Sequence, residues 1–174
     1  MASPPDPDPD PDPDTNSLDR KAYLVAFLPS PMFPAHWALW IPSATDQQAG
    51  TLINVRGDPR NGFAHEFERG YRPRSCESRP LLLELGTIAD HGAVVPDGPT
   101  VPGLDIVASN DVERLALSIP PPSPSLTPAG SNPRPARVAI RNCQTWLHQL
   151  VDGMIEHAFI DSAAKEILSS APQH

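Results

Sequence analysis

Cys143 has the residue type and position of a nucleophile in thiol chemistry. It follows Asn142, a good N-cap residue, at the predicted start of a helix. The residues four, seven and eleven positions further on are apolar and share its helical face: Leu147, Leu150 and Met154. A helix N-terminus lowers the pKa of a thiol and supplies N–H donors for an oxyanion. The alternative is a cysteine buried as a small apolar residue.

His36 is the candidate general base for that thiol. It begins the segment HWALWIP, whose strand alternation puts Ala38 and Trp40 on the same face as His36. Asn54 lies in the next predicted strand, where it can accept the second ring N–H of His36. The alternatives are a hydrogen-bonded structural histidine and a half-exposed asparagine. We therefore expect Cys143, His36 and Asn54 to meet in one pocket.

The segments that must position these side chains begin with predicted strands, which precede the predicted helices along the chain. Their patterns of β-branched, aromatic and alternating residues predict strands for AYLVAFL, HWALWIP, TLINVRG and GFAHEFE, the last three forming an antiparallel meander. A further strand is predicted for LLLELGTI, residues 81–88, whose continuous apolar run favours the interior of the sheet. Prolines and polar turns separate these strands.

Helices follow the strands. Ser109 can cap a short helix, the apolar spacing from Asn142 to Ala158 is helical, and Asp161 can cap a last helix that ends near Ser170. Strands followed by helices predict an α+β fold, in which an antiparallel sheet meander precedes a packed C-terminal helical segment.

The composition predicts one folded domain with an unstructured tail. Residues 1–20 are a Pro-Asp repeat that we expect to be disordered, whereas residues 21–172 are expected to form a single domain with a proline-rich loop at about 119–136. The formal net charge is −8, but without the five tail aspartates only 16 acidic residues face 13 basic ones. The net charge of the chain without these aspartates is thus close to zero, which argues against nucleic acid as a partner.

The chain shows no sign of secretion, membrane insertion or metal binding. It has no basic segment followed by an apolar run at its start and no integral membrane segment, so we expect a cytoplasmic, intracellular protein. Its two cysteines are then expected to be thiols. Ligand spacings for zinc and phosphate-binding glycine motifs are missing, so no metal and no cofactor are predicted.

AHWALWIP and NCQTWLHQLV, in that order, resemble the circularly permuted papain-like fold of the NlpC/P60 superfamily. Two branches are similar: the lecithin:retinol acyltransferase-like proteins, with an HWA strand and an NCEHF helix, and the PPPDE-like peptidases, with NCNTF. The layout is also similar to small fungal proteins of unassigned activity. The resemblance covers about residues 22–170, but the acyltransferase-like branch usually has histidine where Asn54 stands.

This resemblance implies a thiol-dependent hydrolase or acyltransferase that acts on an amide, isopeptide or ester bond. Cys143 would be the nucleophile, His36 the general base and Asn54 the orienting residue. Trp146, Trp40 and Ala38 are the candidate substrate-binding residues, with burial in the core as the alternative for the tryptophans.

The expected partner is therefore a peptide, an isopeptide-linked protein or a small acyl substrate. Two other functions stay open. One is a non-catalytic interaction module that uses the proline-rich loop or the acidic tail on the same scaffold. The other is a small enzyme of fungal secondary metabolism with the same site.

Overall fold

The structure is a computed structural model that describes residues 20–29, 32–89, 101–124 and 141–174. The Pro-Asp tail and most of the proline-rich loop lie outside these residues. Within the described ranges the chain forms six strands, one short 3-10 turn at Pro73–Ser75 and three α-helices. The prediction of an α+β fold is confirmed.

The first five strands follow the predicted segments closely, whereas the sixth was not predicted. The six strands are β1 (Arg20–Phe27), β2 (His36–Pro42), β3 (Gly50–Asp58), β4 (Gly62–Tyr71), β5 (Leu81–Ile88) and β6 (Gly103–Asp105). They form one antiparallel sheet in the order β5-β1-β2-β3-β4-β6. Successive hairpins join β1 to β4, so the predicted meander is confirmed and extends by one strand.

The predicted interior position of β5 is wrong. Among the described residues β5 pairs only with β1, and it forms an edge of the sheet. Its burial is uneven, because Leu81 is 38% exposed whereas Leu85 and Ile88 are buried. Because helix α3 (Ala164–Ser170) packs against this strand, one face is covered while the other remains accessible. A run of leucines therefore reflects an edge strand with one covered face, not a central one.

The helices pack on one face of the sheet, which we call the helix face. Besides α3 they are α1 (Asp111–Ser118) and α2 (Cys143–Glu156). The main core joins alternate residues of β2, such as Trp37 and Leu39, to the apolar side of α2, including Trp146 and Leu150. A smaller cluster on the opposite face contains Val25, Ala38, Trp40, Leu52 and Tyr71.

Helix caps explain where the helices begin. The Asn142 side chain accepts from the backbone N–H groups of Gln144 and Thr145, so the predicted cap of α2 is confirmed. The predicted cap at Ser109 is wrong, because Asn110 caps α1. Ser109 instead donates to the Glu113 carboxylate.

The predicted cap at Asp161 is also wrong. Its carboxylate accepts from the backbone N–H of Ala163, which shapes the turn before α3, whereas Ala163 itself occupies the N-cap position. The helix ends at Ser170 as expected.

A buried ion-pair network joins α1 to the far edge of the sheet. Glu113 is 0% exposed and accepts from the Arg69 guanidinium at 2.5 Å and 3.1 Å. Arg69, on β4, also donates to Asp105 on β6 at 2.9 Å and 3.0 Å. The backbone N–H of Ser109 donates a further bond to Glu113. The buried carboxylate is thus fully paired, as its burial requires.

No helix in the described ranges combines the length and the apolar character that crossing a membrane requires.

Candidate functional site

Cys143 lies inside the main core. It is the first residue of α2 and only 6% exposed, and its Sγ lies 3.9 Å from the carbonyl oxygen of Ala35. Burial raises the pKa of the Cys143 thiol more than nearby backbone N–H groups, including that of Trp37, lower it. A thiol in this position is protonated at neutral pH and poorly accessible.

His36 faces the other side of the sheet. Its neighbours in sequence, Ala35 and Trp37, both belong to the main core on the helix face, so strand alternation points the His36 side chain away from that core. Its ring lies 5.6 Å from the ring of Phe27, its partner on β1. We call this side of the sheet the His36 face.

The structure therefore does not bring Cys143 together with His36. The sulfur packs beneath the backbone of β2, next to Ala35, while the imidazole extends from the opposite side of the same strand. In this geometry the ring cannot take the thiol proton, because general-base catalysis needs hydrogen-bond contact or a single bridging water.

His36 and Asn54 do lie together, as predicted. Asn54 is 1% exposed, and its Nδ2 donates to the carbonyl oxygen of Glu66 at 3.1 Å. Its Oδ1 lies close enough to the His36 ring to favour the protonated imidazole, yet it reaches no partner in hydrogen-bond geometry. Burial lowers the pKa of His36, and the charge of Arg56 lowers it further. His36 is therefore a neutral acceptor or donor at neutral pH.

The three candidate substrate-binding residues are buried among other side chains and are not exposed to a substrate. Trp146 is 0% exposed on the helix face and donates from Nε1 to the carbonyl oxygen of Ile119. Ala38 and Trp40 belong to the smaller cluster on the His36 face, where the Trp40 ring lies 5.4 Å from the ring of Tyr23. Their tight packing leaves no surface for a substrate at these positions.

A cavity of about 600 Å³ opens on the His36 face. It lies beside the end of β1, beside β2, β3 and β4, and beside the segment that follows β4. Its polar lining comprises His36, Asn54, Arg56, Glu66, Glu68, Tyr71, Cys76 and Ser78. Its apolar lining includes Phe27, Leu28, Pro29 and Leu52. Mixed linings of this kind, in cavities of this size, are typical of small-molecule sites.

Cys76 belongs to this cavity, although the sequence did not single it out as a site residue. Its Sγ lies 3.0 Å from the hydroxyl of Ser78. Hydrogen bonds from the Ser78 side chain and backbone lower the pKa of the Cys76 thiol, and the nearby Tyr71 side chain lowers it slightly further without reaching hydrogen-bond geometry. A second cavity of about 350 Å³ adjoins it and shares Glu68, Tyr71 and Cys76.

Two other titratable groups in the cavity lie in environments that disfavour their charged forms. Burial raises the pKa of Tyr71, and the neighbouring sulfur of Cys76 adds to that effect. Its hydroxyl is buried and reaches no partner in hydrogen-bond geometry among the described residues. Burial also raises the pKa of Glu68. Clustered perturbations of this kind are typical of functional sites.

Two further histidines lie on the helix face. The Nε2 atom of His65 lies 2.9 Å from the carbonyl oxygen of Ile119, and its ring lies 5.8 Å from that of Trp146. His148 packs on Trp37. In the described part of the chain, no three His, Cys, Asp or Glu side chains are grouped to hold a metal ion.

Comparisons with known proteins point to one family. Neither the curated proteins nor the solved structures gave a match. The sequence model of a family of unknown function, DUF6540, matches residues 22–161, which include most of β1, all of β2 to β6, α1, α2 and every lining residue of the cavity. The chain belongs to this family.

Proposed function

We propose that the protein binds a small ligand in the cavity on the His36 face. The observation that carries this proposal is a pair of buried polar atoms, Asn54 Oδ1 and the Tyr71 hydroxyl, on two residues that line one cavity; among the described residues neither atom has a partner in hydrogen-bond geometry. Leaving a buried polar group unpaired costs about 1–3 kcal/mol. A ligand that pairs with both atoms recovers that free energy.

The apolar lining supplies the rest of the binding free energy. Phe27, Leu28 and Leu52 lie beside the polar groups, so a ligand with an apolar body and one hydrogen-bonding end fits the cavity. The sheet fixes the polar groups, because Asn54 lies within β3 and Tyr71 ends β4. Little ordering free energy is then lost on binding.

Chemical-shift mapping tests this proposal. N-methylbenzamide, which joins an apolar ring to an amide donor and acceptor, is titrated into the 15N-labelled protein. We expect shifts that cluster at His36, Asn54, Tyr71 and Cys76. Tyr71→Phe removes one unpaired hydroxyl and weakens binding, whereas the matched Tyr23→Phe, on the same face beside Trp40, does not. Shifts that cluster on the helix face would overturn the proposal.

A second candidate function is the thiol-dependent acyl chemistry expected from the sequence, with Cys76 in place of Cys143 as the nucleophile. The observation that favours it is that the Cys76 thiol and the His36 ring line the same cavity. We propose that Cys76 Sγ attacks the carbonyl carbon of an amide, isopeptide or ester held between them. The carbon–nitrogen or carbon–oxygen bond breaks, and the leaving group departs with the proton that the thiol gave to His36. Water or an amine then cleaves the thioester and restores the thiol.

Single cysteine variants test this second function. With p-nitrophenyl acetate as the probe, we expect Cys76→Ser to abolish the release of p-nitrophenol beyond the background rate. Cys143→Ser keeps the wild-type rate if its fold is intact by circular dichroism. The opposite result, loss only in Cys143→Ser, would contradict a nucleophile in the cavity.

A further inference from the structure

The charge and hydrogen-bonding character of the cavity indicate which chemical class of ligand it binds. Among the described lining residues Arg56 is the permanently charged cation, and it already pairs with Glu66 at 3.4 Å. His36 is held neutral by burial. Glu68 also lines the cavity, where burial raises its pKa and the nearby charge of Arg56 partly opposes that rise, but no described cation lies within ion-pair distance of its carboxyl group. The cavity thus retains one unpaired carboxyl group.

The unpaired atoms of the cavity are mainly acceptors. Asn54 Oδ1 is a carbonyl oxygen that can only accept, and it is buried with its amide nitrogen already used by the carbonyl of Glu66. The Glu68 carboxylate accepts as well. Burial disfavours the charge on Glu68, so a cation placed beside it gains more than it would beside a carboxylate in open water.

We infer that the cavity binds a ligand with a protonated amine on an apolar chain, the ammonium group lying between Glu68 and Asn54 and the chain against Phe27 and Leu28. An ammonium group carries three donors and no acceptor, so it matches the unpaired oxygens of this wall. A carboxylate ligand would instead face Glu66 and Glu68. This inference rests on the proposed function, because it names the ligand class of the same cavity.

Three six-carbon probes separate the possibilities: n-hexylamine, n-hexanol and hexanoate. Each is titrated into the 15N-labelled full chain at pH 7 and low ionic strength. We expect n-hexylamine to shift the amides of His36, Asn54 and Glu68 with an affinity at least about fivefold above that of n-hexanol. Hexanoate should bind more weakly than n-hexanol.

The matched variants are Glu68→Gln and Glu84→Gln. Both remove one negative charge, but Glu84 lies on β5, where it pairs with Lys21 at 2.9 Å and does not line the cavity. We expect Glu68→Gln to remove the preference for the amine over the alcohol and Glu84→Gln to preserve it. A circular dichroism spectrum like that of the wild type shows that each variant is folded.

The outcomes distinguish the two proposals. Equal binding of n-hexylamine and n-hexanol, or tighter binding of hexanoate, would overturn the amine class while the ligand-binding cavity stands. A preference for the amine that survives Glu68→Gln would overturn the role of this carboxylate. If none of the three probes shifts the cavity amides, both the ligand class and the proposed cavity function fail.

Discussion

At the scale of single residues, the environment of a side chain decides its chemistry more than its type does. The two cysteines illustrate this contrast. Cys143 is enclosed in the main core, where burial raises the pKa of its thiol, whereas Cys76 lines the cavity and receives hydrogen bonds that lower the pKa of its thiol. The same residue type is thus disfavoured as a thiolate in one place and favoured as a thiolate in the other.

His36 makes stability depend on pH. Burial gives it a lower pKa in the folded state than in the unfolded state, so the unfolded chain binds the proton more tightly. Its contribution to stability is full above the unfolded pKa of about 6.5 and is lost as the pH falls from there through the lower folded pKa. We expect the wild type to lose more unfolding free energy between pH 7.5 and pH 5 than His36→Gln does.

Urea denaturation at the two pH values measures this difference. The remaining histidines are common to both proteins and cancel in the comparison. Identical losses in the two proteins would show that the His36 ring is not buried as the structure has it.

The sequence predicted only some of the contacts around His36. Alternation along HWALWIP correctly put Ala38 and Trp40 on the face of His36. Asn54 lies near the His36 ring, although the paired register of β2 and β3 ends at Leu39 and Ile53 and does not pair Asn54 with His36. The sequence could not tell which face the helix covers, because both faces of β2 are apolar: Trp37 and Leu39 on one, Ala38 and Trp40 on the other. Alternation fixes relative faces, and only tertiary packing decides which one receives α2.

At the scale of secondary-structure elements, the caps and the buried ion pair hold the helices on the sheet. The start of α2 depends on Asn142 and that of α1 on Asn110. The Arg69–Glu113 pair then links α1 to β4. The predicted bounds of the long strands and of α2 agree with the structure to within three residues, because their periodicity extends over many residues. The predicted cap of α1 was one residue off, because Ser109 and Asn110 are both capable N-caps.

Removing the cap of α2 has a defined cost. We expect Asn142→Ala to lower the free energy of unfolding by about 1 kcal/mol, because two backbone N–H groups lose their acceptor. Asn142→Asp is the matched control, since it keeps an acceptor oxygen and adds a charge that the helix N-terminus favours. Equal destabilisation by alanine and aspartate in urea melts would show that the lost acceptor is not the cause.

Breaking the buried pair costs more than breaking an exposed one on the same helix. We expect Glu113→Ala to lower the free energy of unfolding by about 3 kcal/mol, because Arg69 loses its buried partner. Asp111→Ala, which removes the half-exposed pair with Arg114, should cost at most about 1 kcal/mol. Chemical denaturation of both variants compares the two. Similar costs would indicate that solvent reaches Glu113.

At the scale of the whole molecule, the sheet separates two environments. One face carries three helices and the main core, with Cys143 inside it, and the other carries the cavity with His36, Asn54 and Cys76. The cavity was not predictable from sequence patterns, because its wall combines residues of β1, β2, β3 and β4 with residues of the segment after β4. No local periodicity determines how that segment folds back onto the sheet.

The most direct test of a functional His36 face is the rate of alkylation of each cysteine by iodoacetamide across pH, followed by mass spectrometry of the two cysteine peptides. We predict that Cys76 reacts faster than Cys143 at every pH and that its apparent pKa lies below the ordinary thiol value of about 8.5. The account would be contradicted if Cys143 reacted faster than Cys76, with an apparent pKa below the ordinary thiol value that rises in His36→Ala. Such a result would place the Cys143 thiol and the His36 imidazole in one site.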